Sequence, residues 1–99
     1  MTVAVLATLR ADARHAAGLR DALLRLADAA RDEPGTELFV VHESAEHAGH
    51  FVVFERYRDD AAVAAHRGSP AMADFRTALR VAGTTPTVVF LTPLAGVGL

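Results

Sequence analysis

A strand followed by two short helices, between Phe51 and Phe75, limits the possible folds of this chain more than any other segment. The residues of Phe51–Tyr57 are mostly aromatic or β-branched, a composition typical of strands. Side chains alternate between the two faces of a strand. One face therefore carries Phe51, Val53, Glu55 and Tyr57. A carboxyl group and a phenol are thus predicted to lie among apolar neighbours.

Two helix starts follow this strand. Asp59 or Asp60 is predicted to cap a helix over Ala61–His66, whose small residues allow close packing against a sheet. Ser69-Pro70 starts a second helix, because Ser caps helix N termini and Pro suits the first helical position. The apolar stripe of the second helix consists of Met72, Phe75 and Leu79.

Three more strands and one long helix are predicted elsewhere. The strands are Val3–Leu9, Leu38–His42 and Val88–Leu91, of which the first and last are apolar on both faces. Asp12 is predicted to cap a helix that runs to about Arg31, before the Pro34-Gly35 turn. The buried face of this helix is predicted to contain Ala16, Leu19, Leu23, Leu26 and Ala30.

Elements in this order predict a single α+β domain over residues 1–99. The arrangement is the ferredoxin-like β-α-β-β-α-β, a four-stranded antiparallel sheet with helices on one face. The other face would carry apolar side chains such as Val52 and Phe54. Because a large exposed apolar patch marks an interaction surface, we expect a homodimer in which two sheets pack face to face.

Charge and residue usage exclude several function classes. The formal net charge is -2 and the basic residues, all Arg, are scattered, so neither nucleic acid nor a membrane is an expected partner. With no Lys and no Cys, Schiff bases, disulfides and thiolate chemistry are unavailable. No signal peptide and no membrane-spanning apolar run is evident, which predicts a soluble, cytoplasmic protein.

Three histidines, His42, His47 and His50, cluster around the second hairpin. Imidazoles can ligate a metal ion, but these lie in or near a polar loop without suitably placed carboxylates. We expect solvated side chains here and no metal site.

Several short motifs together resemble the antibiotic biosynthesis monooxygenase family of dimeric α+β barrels. They are Glu33-Pro34-Gly35 followed four residues on by Phe39, the strand FVVFERY, Ala65-His66, and Ser69-Pro70 with Phe75 beyond. The resemblance covers about Val3 to Leu94. It implies a small dimer with a pocket between sheet and helices. Some members oxidise phenolic, quinol or polyketide substrates with molecular oxygen and without metal or flavin, so no cofactor is expected. Others degrade haem or process small signalling molecules.

The resemblance gives four residues a family position. Glu55 matches the family's strand glutamate and His66 its helix histidine. Tyr57 takes a position often held by Trp, and Phe39 one where Tyr is common. A phenol for substrate recognition would thus come from Tyr57 rather than from position 39. The haem-degrading branch relies on Asn and Trp, and this sequence contains neither.

The same residues suit oxygen chemistry without a cofactor. A phenolate gives an electron to triplet oxygen far more readily than a neutral phenol does, so such an enzyme needs a base and a dry cavity. Burial raises the pKa of a carboxyl group and an imidazole titrates near ~6.5, so Glu55 and His66 are predicted to be the base and its orienting partner. Tyr57 is predicted to hydrogen-bond the substrate oxygen. The predicted pocket residues are Phe39, Phe51, Val53, Met72 and Phe75.

Structural interpretations of these residues stay open, as do two other functions. Glu55 could form an ion pair, His66 could cap its helix, and Tyr57 could simply pack. The alternative functions are a non-catalytic barrel that binds a small hydrophobic ligand, and an isomerase or decarboxylase that needs no oxygen. A pocket of roughly 300 Å³ or more that contains both Glu55 and His66 would favour the monooxygenase over a ligand-binding or structural role.

Overall fold

Four strands and three helices make up the computed structural model, which describes residues 1–98. Their bounds are β1 Val3–Arg10, α1 Ala16–Ala30, β2 Thr36–Glu43, β3 His50–Tyr57, α2 Asp60–Arg67, α3 Pro70–Ala82 and β4 Thr87–Leu91. The strands form one antiparallel sheet in the order β2-β3-β1-β4. This confirms the predicted ferredoxin-like α+β arrangement. Leu99, the last residue of the predicted domain, lies outside the described residues. Within residues 1–98, no helix combines the length and apolarity needed to cross a membrane.

The alternation of side chains gives the sheet two different faces. Along β3 the odd-numbered residues from 51 to 57 are buried, while the even-numbered ones are partly or fully exposed. The buried set faces the helices, as the strand pattern predicts. The opposite side, called the open sheet face below, consists mainly of Leu6, Leu38, Val40, Val52, Phe54 and Val89.

The apolar core lies between the helix side of the sheet and helices α1 and α3. The predicted inner face of α1 is confirmed, since Ala16, Leu19, Leu23, Leu26 and Ala30 are all buried. The three leucines belong to one apolar cluster with Phe51, Val53 and Phe75. Full burial of each such side chain contributes about 1.5–3 kcal/mol relative to leaving it in water.

Side-chain caps set the starts of α2 and α3, as predicted. Asp59 Oδ1 accepts a hydrogen bond from the backbone N–H of Ala62 at 2.9 Å, and Ser69 Oγ accepts one from Met72 at 3.1 Å. Pro70 occupies the first turn of α3. The caps satisfy N–H groups that have no partner inside their own helix. They therefore allow α2 and α3 to follow each other with only two residues between them.

The prediction that Asp12 caps the first long helix is wrong. Helix α1 begins at Ala16, and Asp12 instead closes a turn before it. Asp12 Oδ1 accepts a hydrogen bond from the backbone N–H of His15 at 3.0 Å and lies 2.9 Å from the His15 Nδ1. A short acidic side chain that bonds its local backbone competes with helix formation, so the helix starts only after the turn.

Strand β4 lies at one edge of the sheet and is less covered than its apolar sequence suggests. All five of its residues are exposed, including Phe90 at 51%. The helices pack mainly against β2 and β3, so the side chains of β4 stay largely exposed within this chain. The burial expected for a strand that is apolar on both faces is therefore not found here.

Candidate active site

A cavity of about 350 Å³ lies between the helix side of the sheet and the helices. Its lining is mostly apolar and includes Leu23, Leu26, Val53, Met72 and Phe75. The polar side chains that line it are those of Glu55, Tyr57, His66, Arg67 and Arg76. An apolar cavity of this size with a few polar groups is typical of a site for a small molecule with a ring system.

One row of residues crosses all four strands along the cavity floor. The strand register places Phe39 of β2 opposite Glu55 of β3, and Glu55 opposite Val5 of β1. Val5 in turn lies opposite Phe90 of β4. All four residues line the cavity. Because paired strands lie only ~4.8 Å apart, the carboxyl group of Glu55 is flanked by an aromatic ring and an aliphatic side chain.

Glu55 and Tyr57 form a hydrogen-bonded pair on this floor. They lie two residues apart on β3 and so share a face, where the Tyr57 hydroxyl donates a hydrogen bond to Glu55 Oε1. Tyr57 is only 1% exposed and Glu55 only 9%. A phenol has a single proton to donate. While the pair is intact, Tyr57 can therefore only accept a hydrogen bond from a substrate hydroxyl.

Burial changes the acidity of both groups. Loss of hydration raises the pKa of Glu55, although the Tyr57 hydrogen bond and the nearby His66 and Arg67 act in the opposite direction. The pKa of the Tyr57 phenol is also raised, first by burial and then by the adjacent carboxyl group. Glu55 is therefore a stronger base than an exposed carboxylate, and Tyr57 stays protonated at neutral pH.

His66 lies in the last turn of α2 and is 5% exposed. Its Nδ1 lies 2.8 Å from Oε1 of Glu33, which belongs to the loop after α1. An ionised carboxylate can only accept a hydrogen bond, so we assign the proton of the neutral imidazole to Nδ1. The other ring nitrogen, Nε2, makes no hydrogen bond within residues 1–98. A neutral His66 in this state has its free lone pair on Nε2.

Two aromatic rings hold the imidazole of His66 in place. The ring centroids of Phe39 and Tyr57 each lie 5.4 Å from that of His66, at interplanar angles of 47° and 45°. Such tilted ring contacts are favourable and restrict rotation of the imidazole. Phe39 thus contributes a packing surface for His66.

The structure brings most of the predicted site residues to the same cavity. It is lined by all three predicted catalytic residues, Glu55, Tyr57 and His66, and by the predicted pocket residues Phe39, Val53, Met72 and Phe75. Phe51 does not line it. The Phe51 ring is 1% exposed and packs in the apolar cluster with Leu19. Alternation places Phe51 on the correct face of β3 but does not determine how far along the strand the cavity extends.

The predicted pairing between Glu55 and His66 takes a different form. Glu55 is hydrogen-bonded to Tyr57, and His66 is hydrogen-bonded to Glu33. The sequence pattern indicated no role for Glu33, whose only signal was the Glu33-Pro34-Gly35 motif. Glu33 and His66 lie 33 residues apart in different elements. No helix or strand period relates positions at that separation.

Arginine side chains and the edge strand β4 were also missed as parts of the cavity lining. Arg67 and Arg76 line the cavity, as do Val88 and Phe90 of β4. The guanidinium carbon of Arg67 lies 5.1 Å from the centroid of the Phe90 ring, a distance suited to a cation–π contact. Arg67 directly follows His66, but nothing in the sequence indicates that Phe90 lies across from it.

The remaining histidines lie away from this cavity. The rings of His47 and His50 are 5.2 Å apart between centroids, and His42 Nδ1 lies 3.2 Å from the carbonyl oxygen of Val52. Within residues 1–98, no group of three or more His, Asp or Glu side chains is arranged to hold a metal ion.

A model of the antibiotic biosynthesis monooxygenase family matches residues 2–78 of this chain. The chain is also 40% identical over 95 residues to Rv0793 of Mycobacterium tuberculosis, a protein provisionally named a monooxygenase. That alignment covers 93% of this chain and 91% of Rv0793. The solved structure of Rv0793 superposes with a TM-score of 0.89 over 99% of this chain and 100% of that chain, at 31% identity in the structural alignment.

Two further solved structures share the fold. One, from Deinococcus radiodurans, is provisionally named an antibiotic biosynthesis monooxygenase; its TM-score is 0.88 at 30% identity, covering 98% of this chain and 97% of that chain. The other is SnoaB, a cofactor-independent oxygenase from Streptomyces nogalater, with a TM-score of 0.84 over 99% and 98% of the two chains. At 16% identity, SnoaB shows likeness of fold alone. The family model and the M. tuberculosis relative both span most of the chain, and on that ground it belongs to the antibiotic biosynthesis monooxygenase family.

Proposed function

We propose that this protein is a cofactor-independent monooxygenase that oxidises a small aromatic or quinol substrate with molecular oxygen. The observation that carries the proposal is the 350 Å³ apolar cavity whose lining includes both Glu55 and His66. A dry cavity holds an electron-rich anion, and two titratable groups at its wall can move the proton that makes it. Family membership and the monooxygenase name of the M. tuberculosis relative support the same class of reaction. SnoaB, a cofactor-independent oxygenase, provides a precedent for such chemistry on this fold.

The chemistry needs no reductant other than the substrate. A base removes the phenolic proton, and the phenolate passes one electron to oxygen, giving a phenoxyl radical and superoxide. The two combine at a ring carbon, and protonation gives a hydroperoxide. A base then removes the proton from that carbon, the C–H electron pair forms a C=O bond, and the O–O bond breaks to release hydroxide. The hydroxide takes up the proton and leaves as water, and the product is a quinone. One oxygen atom enters the product, the other leaves as water, and the substrate supplies all four electrons.

The residues of the cavity divide this work. His66 accepts the phenolic proton at Nε2, because Nδ1 is already hydrogen-bonded to Glu33. Tyr57 accepts a hydrogen bond from a second substrate hydroxyl or orients the ring, since its own proton is given to Glu55. Glu55, whose pKa is raised by burial, accepts the proton lost from the ring carbon when the O–O bond breaks. Met72 and Phe75 exclude water from the reacting anion.

We also infer that the protein acts as a homodimer in which the open sheet faces of two copies pack together. Val40 and Val52 are each 37% exposed on this face, and Val89 is 45% exposed. These apolar side chains are exposed to water on a single copy and become buried when a second sheet packs against them. That burial is favourable. Sheets packed face to face lie about 10 Å apart, which is the spacing that interdigitated side chains of this size fill.

The test is oxygen consumption by the purified protein with a panel of hydroquinones and polycyclic phenols, measured against an autoxidation blank. Matched variants are Glu55→Gln and His66→Ala in the cavity, with Glu46→Gln and His47→Ala in the exposed β2–β3 loop as controls. We expect H66A and E55Q to lose about 10²- to 10⁴-fold in turnover, the usual contribution of a general base. The loop variants should keep wild-type rates.

Uptake that survives in both cavity variants would contradict the assigned roles. Saturable binding of panel members without oxygen uptake would favour the non-catalytic ligand-binding barrel. Conversion of an enolisable substrate at the same rate under nitrogen would favour an isomerase or decarboxylase. Oxygen uptake, ligand binding and conversion under nitrogen are all measured on the same protein preparations, so these three assays distinguish the three functions.

A further inference from the structure

The carboxyl group of Glu33 lies behind His66, outside the lining of the cavity. Two hydrogen bonds hold the carboxyl group and two more hold the Glu33 backbone. Its Oε1 accepts hydrogen bonds from His66 Nδ1 at 2.8 Å and from the Thr36 hydroxyl at 2.7 Å. The Glu33 backbone N–H donates to the carbonyl oxygen of Ala30 at 3.1 Å, and its carbonyl oxygen accepts from the N–H of Thr36 at 3.1 Å. The carboxylate is therefore held in one position relative to the imidazole.

We propose that Glu33 is a positioning residue for His66, because its carboxylate keeps the imidazole proton on Nδ1 and so leaves the Nε2 lone pair for the cavity. The inference rests on the proposed function, in which Nε2 of His66 accepts the substrate proton. Glu33 itself does not touch the cavity, so it acts only through His66.

A neutral imidazole can carry its proton on either nitrogen, and the hydrogen bond made by one nitrogen decides the state of the other. A carboxylate beside Nδ1 has no proton to offer, so it stabilises the Nδ1–H tautomer and destabilises the Nε2–H tautomer. In the wrong tautomer the ring presents an N–H to the substrate and cannot accept a proton. When Nε2 does accept one, the negative charge of Glu33 stabilises the resulting imidazolium.

Other groups near the ring do not replace Glu33 in this role. The titratable or charged side chains that face or adjoin His66 are Glu55 and Tyr57 of β3, Arg67 of α2, and Glu33 itself. Phe39 of β2 contacts the ring but carries no charge. Within residues 1–98, Glu33 is the one side chain that hydrogen-bonds the imidazole. The tautomer of His66 is therefore set by Glu33 and not by the Glu55–Tyr57 pair.

The experiment is a ¹⁵N–¹H correlation spectrum of the histidine rings, which distinguishes a protonated from an unprotonated ring nitrogen for each of the five histidines. His66→Gln identifies the His66 signals by their loss. The variants are Glu33→Leu, which removes the acceptor, and Glu33→Gln, whose amide oxygen can still accept from Nδ1. Glu37→Gln is the matched control, because Glu37 lies four residues away and pairs with Arg56 instead. The spectra need no substrate and are recorded at alkaline pH, above the ordinary pKa of a free imidazole.

We expect wild-type protein, E33Q and E37Q to show His66 with its proton on Nδ1. In E33L we expect the Nε2–H form to dominate. A wild-type His66 that is protonated on Nε2 would overturn the proposal without any variant, which keeps the test valid if E33L fails to fold. An E33L spectrum with the wild-type tautomer would overturn it as well.

Turnover then gives a second readout. If a panel substrate is oxidised, kcat of E33L should fall about 10- to 100-fold with KM within about twofold, because Glu33 acts on proton transfer and does not contact the bound ring. Equal loss in E33L and E37Q would contradict the proposal. Failure to find any oxidised substrate would count against the monooxygenase function only, since the tautomer is measured independently.

Discussion

Glu55 is a residue at which stability and chemistry oppose each other. A carboxyl group that is 9% exposed among apolar side chains loses hydration, and its one strong hydrogen bond comes from Tyr57. The pKa of Glu55 is raised for that reason. The folded state therefore binds the Glu55 proton more tightly than the unfolded chain does. Ionisation of Glu55, which makes it a base, costs stability.

Replacing Glu55 with Gln should stabilise the protein at neutral and alkaline pH. In wild type, the free energy of unfolding should fall as the pH rises from ~4.3, the unfolded value, through the raised folded pKa of Glu55. Gln cannot ionise and keeps an oxygen for the Tyr57 hydrogen bond. We expect E55Q to have the higher melting temperature at pH 8 and the difference to shrink at pH 4. Thermal denaturation of both proteins across this range, with E46Q as control, measures it; parallel curves would contradict the interpretation.

Removing the hydroxyl of Tyr57 should destabilise the fold through Glu55. Tyr57→Phe leaves the ring packing unchanged but takes away a hydrogen bond to a buried carboxyl group. Bonds of this kind contribute about 1.5–3 kcal/mol. Urea denaturation of wild type, Y57F, Glu55→Leu and the double variant forms a cycle that isolates the interaction, because Leu offers no acceptor to the Tyr57 hydroxyl. We expect Y57F to cost clearly less in the E55L background; equal costs in both backgrounds would show that the two side chains are not coupled.

For single residues, the sequence predicts which face of a strand a side chain occupies better than it predicts which group that side chain hydrogen-bonds. Alternation along β3 correctly places Glu55 and Tyr57 on the buried face, because the period of a strand is fixed by its backbone. Which group each side chain bonds depends on elements that are distant in sequence. The pairing of His66 with Glu33 requires the loop after α1 to meet the end of α2, and no local pattern encodes that contact.

Among the elements, α3 depends on a short start signal. Ser69 caps its first turn and Pro70 follows, so the helix carrying Met72 and Phe75 into the cavity is positioned from this end. Ser69→Ala should cost about 0.5–2 kcal/mol, the usual effect of losing such a cap. Thr77→Ala, in the exposed middle of the same helix, should be neutral or slightly stabilising, since Ala has the higher helix propensity. Urea denaturation compares them; equal losses would show that the cap has no special role.

The contact between Gly35 and Ala62 limits how closely α2 approaches the start of β2. A Cβ atom built on Gly35 would lie 2.3 Å from the Ala62 Cβ, well inside contact distance. Gly35→Ala should therefore push α2 outward and destabilise the fold by about 1–3 kcal/mol, as overpacking does. Ala62→Gly removes the clashing atom, so the double variant G35A/A62G should be more stable than G35A once the cost of A62G alone is subtracted. A strictly additive result in urea denaturation would place the strain elsewhere.

Element boundaries show the same division between local and distant causes. The starts of α2 and α3 follow from caps that the sequence displays directly, and both predictions agree with the structure. Asp12 displays the same signal before α1 but closes a turn with His15. Gly35 was predicted only as a turn residue. Position 35 has no room for a Cβ atom, because Ala62 lies against it. Since Ala62 belongs to another element, the local sequence does not show this requirement.

At the scale of the whole molecule, the open sheet face determines the predicted assembly. We expect wild-type protein to elute as a dimer of about 21 kDa, twice the 10.5 kDa of one chain. Val52→Glu places a charge in the middle of this face and should give monomers, because burying an unpaired charge is costly. Val81→Glu is the control, since Val81 is 70% exposed on α3 and should leave the dimer intact. Size-exclusion chromatography with light scattering decides; a monomeric wild type would contradict the dimer.

The overall architecture was predictable because several independent patterns agree on it. The element order, the helix face of α1 and the alternation in β3 all favour one sheet with helices on one side. The position of the cavity was predictable, but the full set of residues that line it was not. Its lining includes Phe90 of the edge strand β4, and Arg67 lies over the Phe90 ring; no local sequence pattern relates these two positions.

The buried phenol of Tyr57 also determines how this protein emits light. The chain contains one Tyr and no Trp, so all of its ultraviolet emission excited near 280 nm comes from Tyr57. That chromophore lies at the cavity wall and its hydroxyl is bonded to a carboxyl group. Electronic excitation makes a phenol a much stronger acid, so an adjacent carboxylate quenches its emission by taking the proton. The intensity of Tyr57 fluorescence excited near 280 nm therefore reports on binding and protonation at the cavity. No Trp emission overlaps it.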